Sequence, residues 1–427
     1  MHTRVLSSGN PAMEDALLQA GHDVVVVIQF AGIDEHRRRF PGLSIHGISN
    51  WNDDEEIAKV AQDLPENIEA VATVDEQAVR TAGVLRELLG GLPGLSAEDA
   101  TAYTDKAVMK DRCNAAGVPV ARHRVVHHAT EISAVAREIG WPVVVKPRIS
   151  AATLNTFVVR DDDDLERHLE EGLFDRRLDD PFGRFAAGEM LKSLHERENG
   201  FLVEEFLDVS REYFCNFYQY RGETLWASPG HYSNPLIDAL TEDLYFMVLP
   251  PDGAELREVV ALCERATSAL GAQTGAVHCE VLRTRDGKLW FGEAGARLPG
   301  AGLWNMENTM YGLDGQDILA KLAVDERPEI PLRPLYESLV TINLDPPSGI
   351  VRNVTSIEEI EAIDAVVEVD MHLEIGKPVP GALGSLKGAG RIVYQPRDPG
   401  AVESEVKELY ARLNIQIDQP ETLDVGA

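Results

Sequence analysis

Basic residues are scarce in this chain of 427 residues: 40 lysines and arginines stand against 71 aspartates and glutamates, a formal net charge of −31. Such a field repels polyanions, which excludes nucleic acid and anionic membrane surfaces as broad partners. Any phosphate the protein holds must sit in a local cationic pocket. Long apolar runs are missing as well. No stretch approaches the ~18 residues of a membrane span, and the opening "MHTRVLSSGNPAMEDALLQAGHDVVVVIQF" carries no apolar core of a secretory signal. Cysteine is limited to Cys113, Cys215, Cys263 and Cys279, far apart and without CxxC spacing. That argues against a disulfide framework or a zinc site and suits small core thiols kept reduced in a cytoplasm. There is no GxGxxG either, so the turn Ser7-Ser8-Gly9-Asn10 after the first strand carries no dinucleotide fingerprint.

What is present is α/β texture over a length that calls for two to four structural units. "DVVVVI" (23–28) is a buried strand by its continuous β-branched run, and "IEAVATVDE" (68–76) repeats the theme. Helical patterns between such strands predict a doubly wound α/β domain over residues 1–100. From Thr104 the texture changes. "TDKAVMKDRCNAAG" reads as a helix capped by Thr104 and stopped by Gly117. "GWPVVVKP" reads as a buried strand ending on Lys146. A first lobe over 101–200, a second over 201–330 and a small α+β lobe over 331–427 complete the expected organisation. The polar stretch 179–199 and the loop after Lys146 are candidate lids.

The most informative stretch is "HCEVLRTRDGKLWFGEAGARLPG" (278–300). Asp286-Gly287 between alternating runs predicts a two-residue hairpin. In that register Glu280 lies directly opposite Glu293, and Leu282 shares their face with Phe291. Opposed carboxylates facing an apolar interior need a cation between them or a shared proton; a one-residue slip would instead turn both to water. Mg²⁺, which binds carboxylate oxygens and leaves positions for phosphate oxygens, fits the pair. Arg297, four residues on, supplies a planar cation suited to phosphate. Lys146, at a strand end before Pro147, has little freedom to snorkel to water. Lys106 sits in the first turn of its helix, where the dipole disfavours a cation, and a solvated role stays open for it.

Taken in order, Lys106, Lys146, "VEEFLDVSRE" (203–212), Glu280, Glu293 and Arg297 resemble the ATP-grasp superfamily. The resemblance covers most of the chain and implies a two-lobed ATP-grasp module between the N-terminal α/β domain and the C-terminal lobe. It implies that Lys106 and Lys146 bind ATP phosphates. Glu204 and Glu205, with the backbone at Phe206 and Leu207, receive the adenine, and Glu212 the ribose. Glu280 and Glu293 hold Mg²⁺, with Mn²⁺ as an alternative ion, and Arg297 meets the transferring phosphoryl group. "EAGARLPG" and "GKPVPGALGSLKGAGRIVYQ" are similar to the branch of amino-acid ligases, which implies ATP-dependent joining of a small carboxylate to a small amine. His231, in "SPGHYSNP", and Trp304-Asn305 are the expected substrate contacts. Purine-pathway and carboxylase-type enzymes, a non-catalytic nucleotide sensor and a homodimeric assembly stay open. Two positions depart from the family pattern. Gly295 stands where many members have a metal-binding asparagine, and "PRISAATLNTF" after Lys146 has no glycine.

Overall fold

The computed structural model describes residues 2–150, 152–175, 200–238, 245–271, 273–379 and 389–419. The expected lid at 179–199 lies outside them. The N-terminal unit is a parallel sheet of β1 (Arg4–Ser7), β2 (Asp23–Gln29), β3 (Ser44–Ile48) and β4 (Ala70–Ala72) in the order β3-β2-β1-β4. Its helices are α1 (Pro11–Gln19), α2 (Ile33–Arg39), α3 (Asp54–Asp63) and α4 (Val79–Leu88). Asn10 caps α1, its side chain accepting from the Ala12 amide, with Pro11 at the first helical position. The order reverses at β1. A crevice therefore opens beyond the carboxyl ends of β1 and β4, the usual ligand edge of such sheets. There Asn10 Nδ2 donates to Asp75 Oδ1 at 2.8 Å.

Two short helices follow, α5 (Ala97–Ala102) and α6 (Lys106–Ala115). The cap of α6 is Asp105, which accepts from the amides of Ala107 and Val108. Thr104, expected in that role, instead donates its hydroxyl to the carbonyls of Ala100 and Thr101. A carboxylate there also binds Arg148, at 2.5 Å, and so ties α6 to the end of the lysine strand. That strand belongs to a small antiparallel sheet of β5 (His123–Val126), β6 (Val143–Pro147), β7 (Phe157–Val159) and β8 (Phe201–Glu205), in the order β5-β8-β6-β7. Helices α7 (Ile132–Ile139) and α8 (Asp162–Glu170) accompany it.

The remainder is organised by β9 (Val209–Tyr220), β10 (Glu223–Tyr232), β11 (Tyr245–Val248), β12 (Gly275–Thr284), β13 (Leu289–Gly295), β14 (Leu339–Asn343), β15 (Gly349–Asn353), β16 (Val366–Met371), β17 (Pro378–Val379), β18 (Gly390–Tyr394) and β19 (Gln416–Asp418). Eight of these form one sheet, β13-β12-β9-β10-β11-β14-β18-β16, and β17-β15-β19 form a small one. Helix α9 (Ala254–Leu270) packs with α6 on one face of the large sheet, around the buried Met109, Cys113, Cys263, Cys279 and Phe291. Helices α10 (Leu303–Tyr311) and α11 (Gly315–Ala323) lie on the other, where Met306 and Leu319 share a core with Val5 and Val26 of the N-terminal sheet. Helices α12 (Ile357–Glu361) and α13 (Val402–Leu413) complete the chain. The N-terminal crevice, the small sheet and the large sheet thereby face one common space.

Candidate active site

That space is a cleft of about 1100 Å³. Lys106, Lys146, Glu204, Glu205, Phe206, Leu207, Glu212, Glu280, Glu293 and Arg297 all line it, as do Trp304 and Asn305. Glu280 and Glu293 are direct partners across β12 and β13. The route to that pairing differs from the expected one. The hairpin turns through three residues, the Thr284 amide donating to Lys288 O at 3.0 Å. Leu282 therefore faces Trp290 rather than Phe291. A bulge between the Glu280–Glu293 and Val281–Phe291 pairs leaves Gly292 extra and restores the opposition of the acids.

The charges are paired with little left over. Lys106 Nζ lies 2.8 Å from Glu293 Oε2 and donates to Ser150 O at 2.7 Å. Lys146 Nζ lies 2.7 Å from Glu204 Oε2, and Lys110 Nζ lies 2.9 Å from the other oxygen, Oε1. Lys110 also donates to Gly292 O at 3.0 Å, tying α6 to the bulge. Burial alone would raise the Glu204 carboxyl, but Lys110 and Lys146 outweigh it and hold it at about 2. Burial likewise opposes the ionised form of Glu293, while Lys106 and Lys146 bring it to about 2. Burial pushes the Lys146 ammonium down, yet Glu204 and Glu293 prevail and raise it. For Lys110 burial wins, and its pKa is lowered. Arg297 donates to Glu76 Oε2 at 2.7 Å and to Leu298 O at 3.0 Å, so the N-terminal unit itself holds this arginine.

Some positions differ from expectation. His231 does not line the cleft. Along β10 side chains alternate between faces, and His231 packs edge-on against Tyr213 of β9 while its neighbour Tyr232 takes the cleft side. Tyr232 Oη donates to Glu280 Oε1 at 3.3 Å. The Phe206 amide is not bare; it donates to Pro142 O at 3.2 Å, while the Phe206 side chain is exposed. Glu205 pairs with Arg122. Glu212 is buried and accepts from the Leu236 amide at 2.7 Å; burial, reinforced by Glu280, raises its carboxyl well above the ordinary range. Gly295 has a local reason. A Cβ there would stand 3.1 Å from Arg297 Cγ and 3.2 Å from its Nε, so a larger side chain would displace the arginine. Sequence reading missed Lys110, Glu76, Tyr232 and His278. Only Lys110 carried a signal, standing one turn beyond Lys106 on the same helix face.

Among the described residues no three acidic, histidine or cysteine side chains are arranged to enclose an ion by themselves. The Glu280–Glu293 pair nonetheless offers hard carboxylate oxygens beside open cleft volume, which suits a divalent ion whose other positions are filled by phosphate oxygens. Among the described residues no helix is long and apolar enough to cross a membrane.

Residues 105–178 match the family model "Carbamoyl-phosphate synthase L chain, ATP binding domain". The L-arginine-specific L-amino acid ligase of Bacillus subtilis is 26% identical over 341 residues, which is 80% of this chain and 77% of that protein. Dapdiamide A synthase of Enterobacter agglomerans is 25% identical over 362 residues, 82% of this chain and 80% of its own length. The crystal structure of L-amino acid ligase from Bacillus licheniformis superposes with a TM-score of 0.74 at 19% identity, covering 98% of this chain and 99% of the other, and so shares the fold. With its lysines, paired glutamates and arginine gathered on one cleft, the chain resembles the ATP-grasp superfamily and, within it, the L-amino acid ligases.

Proposed function

We propose that the protein is an ATP-dependent carboxylate–amine ligase that joins an amino acid, through its carboxyl group, to the amine of a second amino acid. The observation that supports this most is the convergence of Lys106, Lys146, Glu280, Glu293 and Arg297 on one cleft. A carboxylate does not condense with an amine in water, because oxide is a poor leaving group. Attack of the carboxylate oxygen on the γ-phosphorus of ATP releases ADP and leaves an acyl phosphate. The amine nitrogen then attacks the acyl carbon, phosphate departs with the bonding electrons, and the nitrogen gives up a proton. Lys106 and Lys146 hold the phosphates, and Arg297, steadied by Glu76, stabilises the phosphoryl group in flight. Glu280 and Glu293 would hold Mg²⁺ or Mn²⁺, which neutralises charge on the nucleotide phosphates. The cleft walls shield the acyl phosphate from water. Abundant ATP and four free buried cysteines support a cytoplasmic site of action.

The test is ADP release from ATP and Mg²⁺ with amino acids supplied singly and in pairs, and mass spectrometry of the product. Release that needs two amino acids and yields their amide is the expected result. ATP binding without turnover under every pair would assign the cleft to nucleotide sensing instead. Glu293→Gln should abolish ADP release with the fold retained by circular dichroism; undiminished release would remove Glu293 from the metal pair.

A further inference from the structure

Among the described residues, the acids that line the cleft all have a partner suited to their role, with one exception. Glu76, Glu204, Glu205 and Glu293 each meet a lysine or arginine. Glu212 accepts from the Leu236 amide, and Glu280 from Tyr232. Asp75 lines the same cleft and is half-buried. Its Oδ1 accepts from Asn10 Nδ2 at 2.8 Å. Among the described residues its Oδ2 accepts no hydrogen bond, and no basic side chain comes within ion-pairing distance of the carboxylate.

This acid is held firmly. It stands three residues past β4, at the carboxyl edge of the N-terminal sheet. Its amide donates to Thr73 Oγ1 at 3.2 Å, and that oxygen lies 2.8 Å from Ser8 Oγ. Its carbonyl accepts from the Ala78 amide at 3.1 Å. The Leu298 amide donates to Val74 O at 3.3 Å, and Arg297 bonds Glu76, so the segment carrying Asp75 is pinned on both sides to the segment carrying the arginine. Arg297 in turn is within electrostatic reach of Glu280 and Glu293. The order is therefore paired glutamates, arginine, then Asp75. Burial raises the Asp75 carboxyl to about 6, with the Asn10 hydrogen bond and Arg297 pulling against it. It is ionised at neutral pH, and a partly desolvated carboxylate gains from an arriving cation.

We propose that Asp75 binds the α-ammonium group of the amino acid whose carboxyl group is activated, so that the acyl donors are free α-amino acids and not hydroxy acids or N-acylated ones. This rests on the reading of the protein as a carboxylate–amine ligase. In an α-amino acid the carboxylate and the ammonium share one carbon. A carboxylate placed at the phosphoryl group beside Arg297 therefore carries its ammonium only a short way further, toward the next charged group along the wall. The contact also has a chemical consequence. An ammonium held protonated by a carboxylate has no lone pair with which to attack, so the acyl phosphate is left to the amine of the second amino acid.

The experiment replaces the second amino acid by hydroxylamine, which captures the acyl phosphate as a hydroxamate and so isolates the acyl donor. Each common L-amino acid is supplied with ATP, Mg²⁺ and hydroxylamine. The wild type should form a hydroxamate from at least one of them; if neither hydroxamate nor dipeptide forms from any, the ligase reading itself falls. Asp75→Asn keeps the size of the side chain and an oxygen for Asn10 to donate to. It should raise the KM for that amino acid roughly tenfold or more, the scale of a lost charge-assisted hydrogen bond, with the KM for ATP unchanged. The 2-hydroxy acid with the same side chain, used as a competitive inhibitor, should bind wild type and Asp75→Asn equally, because it has no ammonium to lose. An unchanged KM for the amino acid in the folded variant, or equal weakening of the amino acid and the hydroxy acid, would overturn the assignment. So would a variant that forms hydroxamate as the wild type does but needs more of the second amino acid for dipeptide, since Asp75 would then serve the attacking amine.

Discussion

At the scale of single residues, the cleft is governed by a few buried ions that depend on one another. Glu204 is gripped on both oxygens, by Lys110 and Lys146, and neither Lys110 nor Glu204 is more than marginally exposed. Removing one partner of such a group strands a charge, which typically costs about 3–5 kcal/mol. Lys110→Met should lower stability to urea by that order, and an unchanged unfolding midpoint would show the pair to be dispensable. The acid limb carries the sign. Glu204 falls from 4.5 to about 2 on folding, so its contribution is complete above pH 4.5 and fades as pH drops toward 2. With Lys110 gone that carboxyl moves back up, and acid unfolding should begin at a higher pH than in the wild type. Lys146 was legible in sequence as a cation ending a buried strand. Lys110 was harder to see because a lysine inside a polar helix ordinarily points to water, and only the tertiary approach of β8 and the Gly292 bulge turns it inward.

Elements show where sequence patterning stops. The turn at Asp286-Gly287 was visible, since glycine after aspartate marks a tight corner. Its length and the bulge were not, because periodicity records which face a side chain takes and not where a strand gains a residue. The two departures offset each other, so Glu280 meets Glu293 as read while Leu282 and Phe291 do not pair. The placement of His231 has a related cause: with a strand period of two, adjacent residues take opposite faces, so Tyr232 lines the cleft and His231 does not. The bulge itself has a steric basis. A Cβ at Gly292 would stand 3.0 Å from Glu280 O and 3.5 Å from Glu280 Cβ. Gly292→Ala should therefore push β12 and β13 apart by a few tenths of an ångström and disturb the two carboxylates. Given that a 1 Å misplacement can cost on the order of 100-fold, a fall of about tenfold in kcat/KM for ATP is expected. Steady-state kinetics that match the wild type would show that the strand spacing here tolerates the methyl group.

Over the whole molecule, the N-terminal doubly wound sheet was plain from its β-branched runs, whereas the eight-stranded sheet was not. Its strands come from residues as distant as Val209 and Tyr394, and pairing across such separations leaves no local pattern. The continuous cleft follows from that assembly, and so does a dependence of stability on pH with two opposed parts. Glu204 and Glu293, both brought to about 2, favour the folded state once pH exceeds 4.5. Glu14 and Glu307 act the other way. Burial raises each from 4.5 to about 8, and Glu14 is held between the Ser7 hydroxyl, at 2.5 Å, and His36. Both are protonated in the folded state and ionised in the unfolded one between those values. Their contribution is therefore whole below pH 4.5 and declines as pH rises toward 8. At about 1.4 kcal/mol per unit of difference, each is worth several kcal/mol across that window. The net charge of −31 adds self-repulsion in the same direction as further groups ionise. Maximal stability should consequently lie on the acid side of neutrality, near pH 5. Thermal unfolding from pH 4 to 9 should show a decline above that point. In Glu14→Gln, whose amide oxygen can still accept from Ser7, the decline should be shallower by about half of the contribution of the two acids. A Glu14→Gln protein whose stability falls with pH as steeply as the wild type would mean that this acid is already ionised in the fold, with His36 carrying the compensating proton.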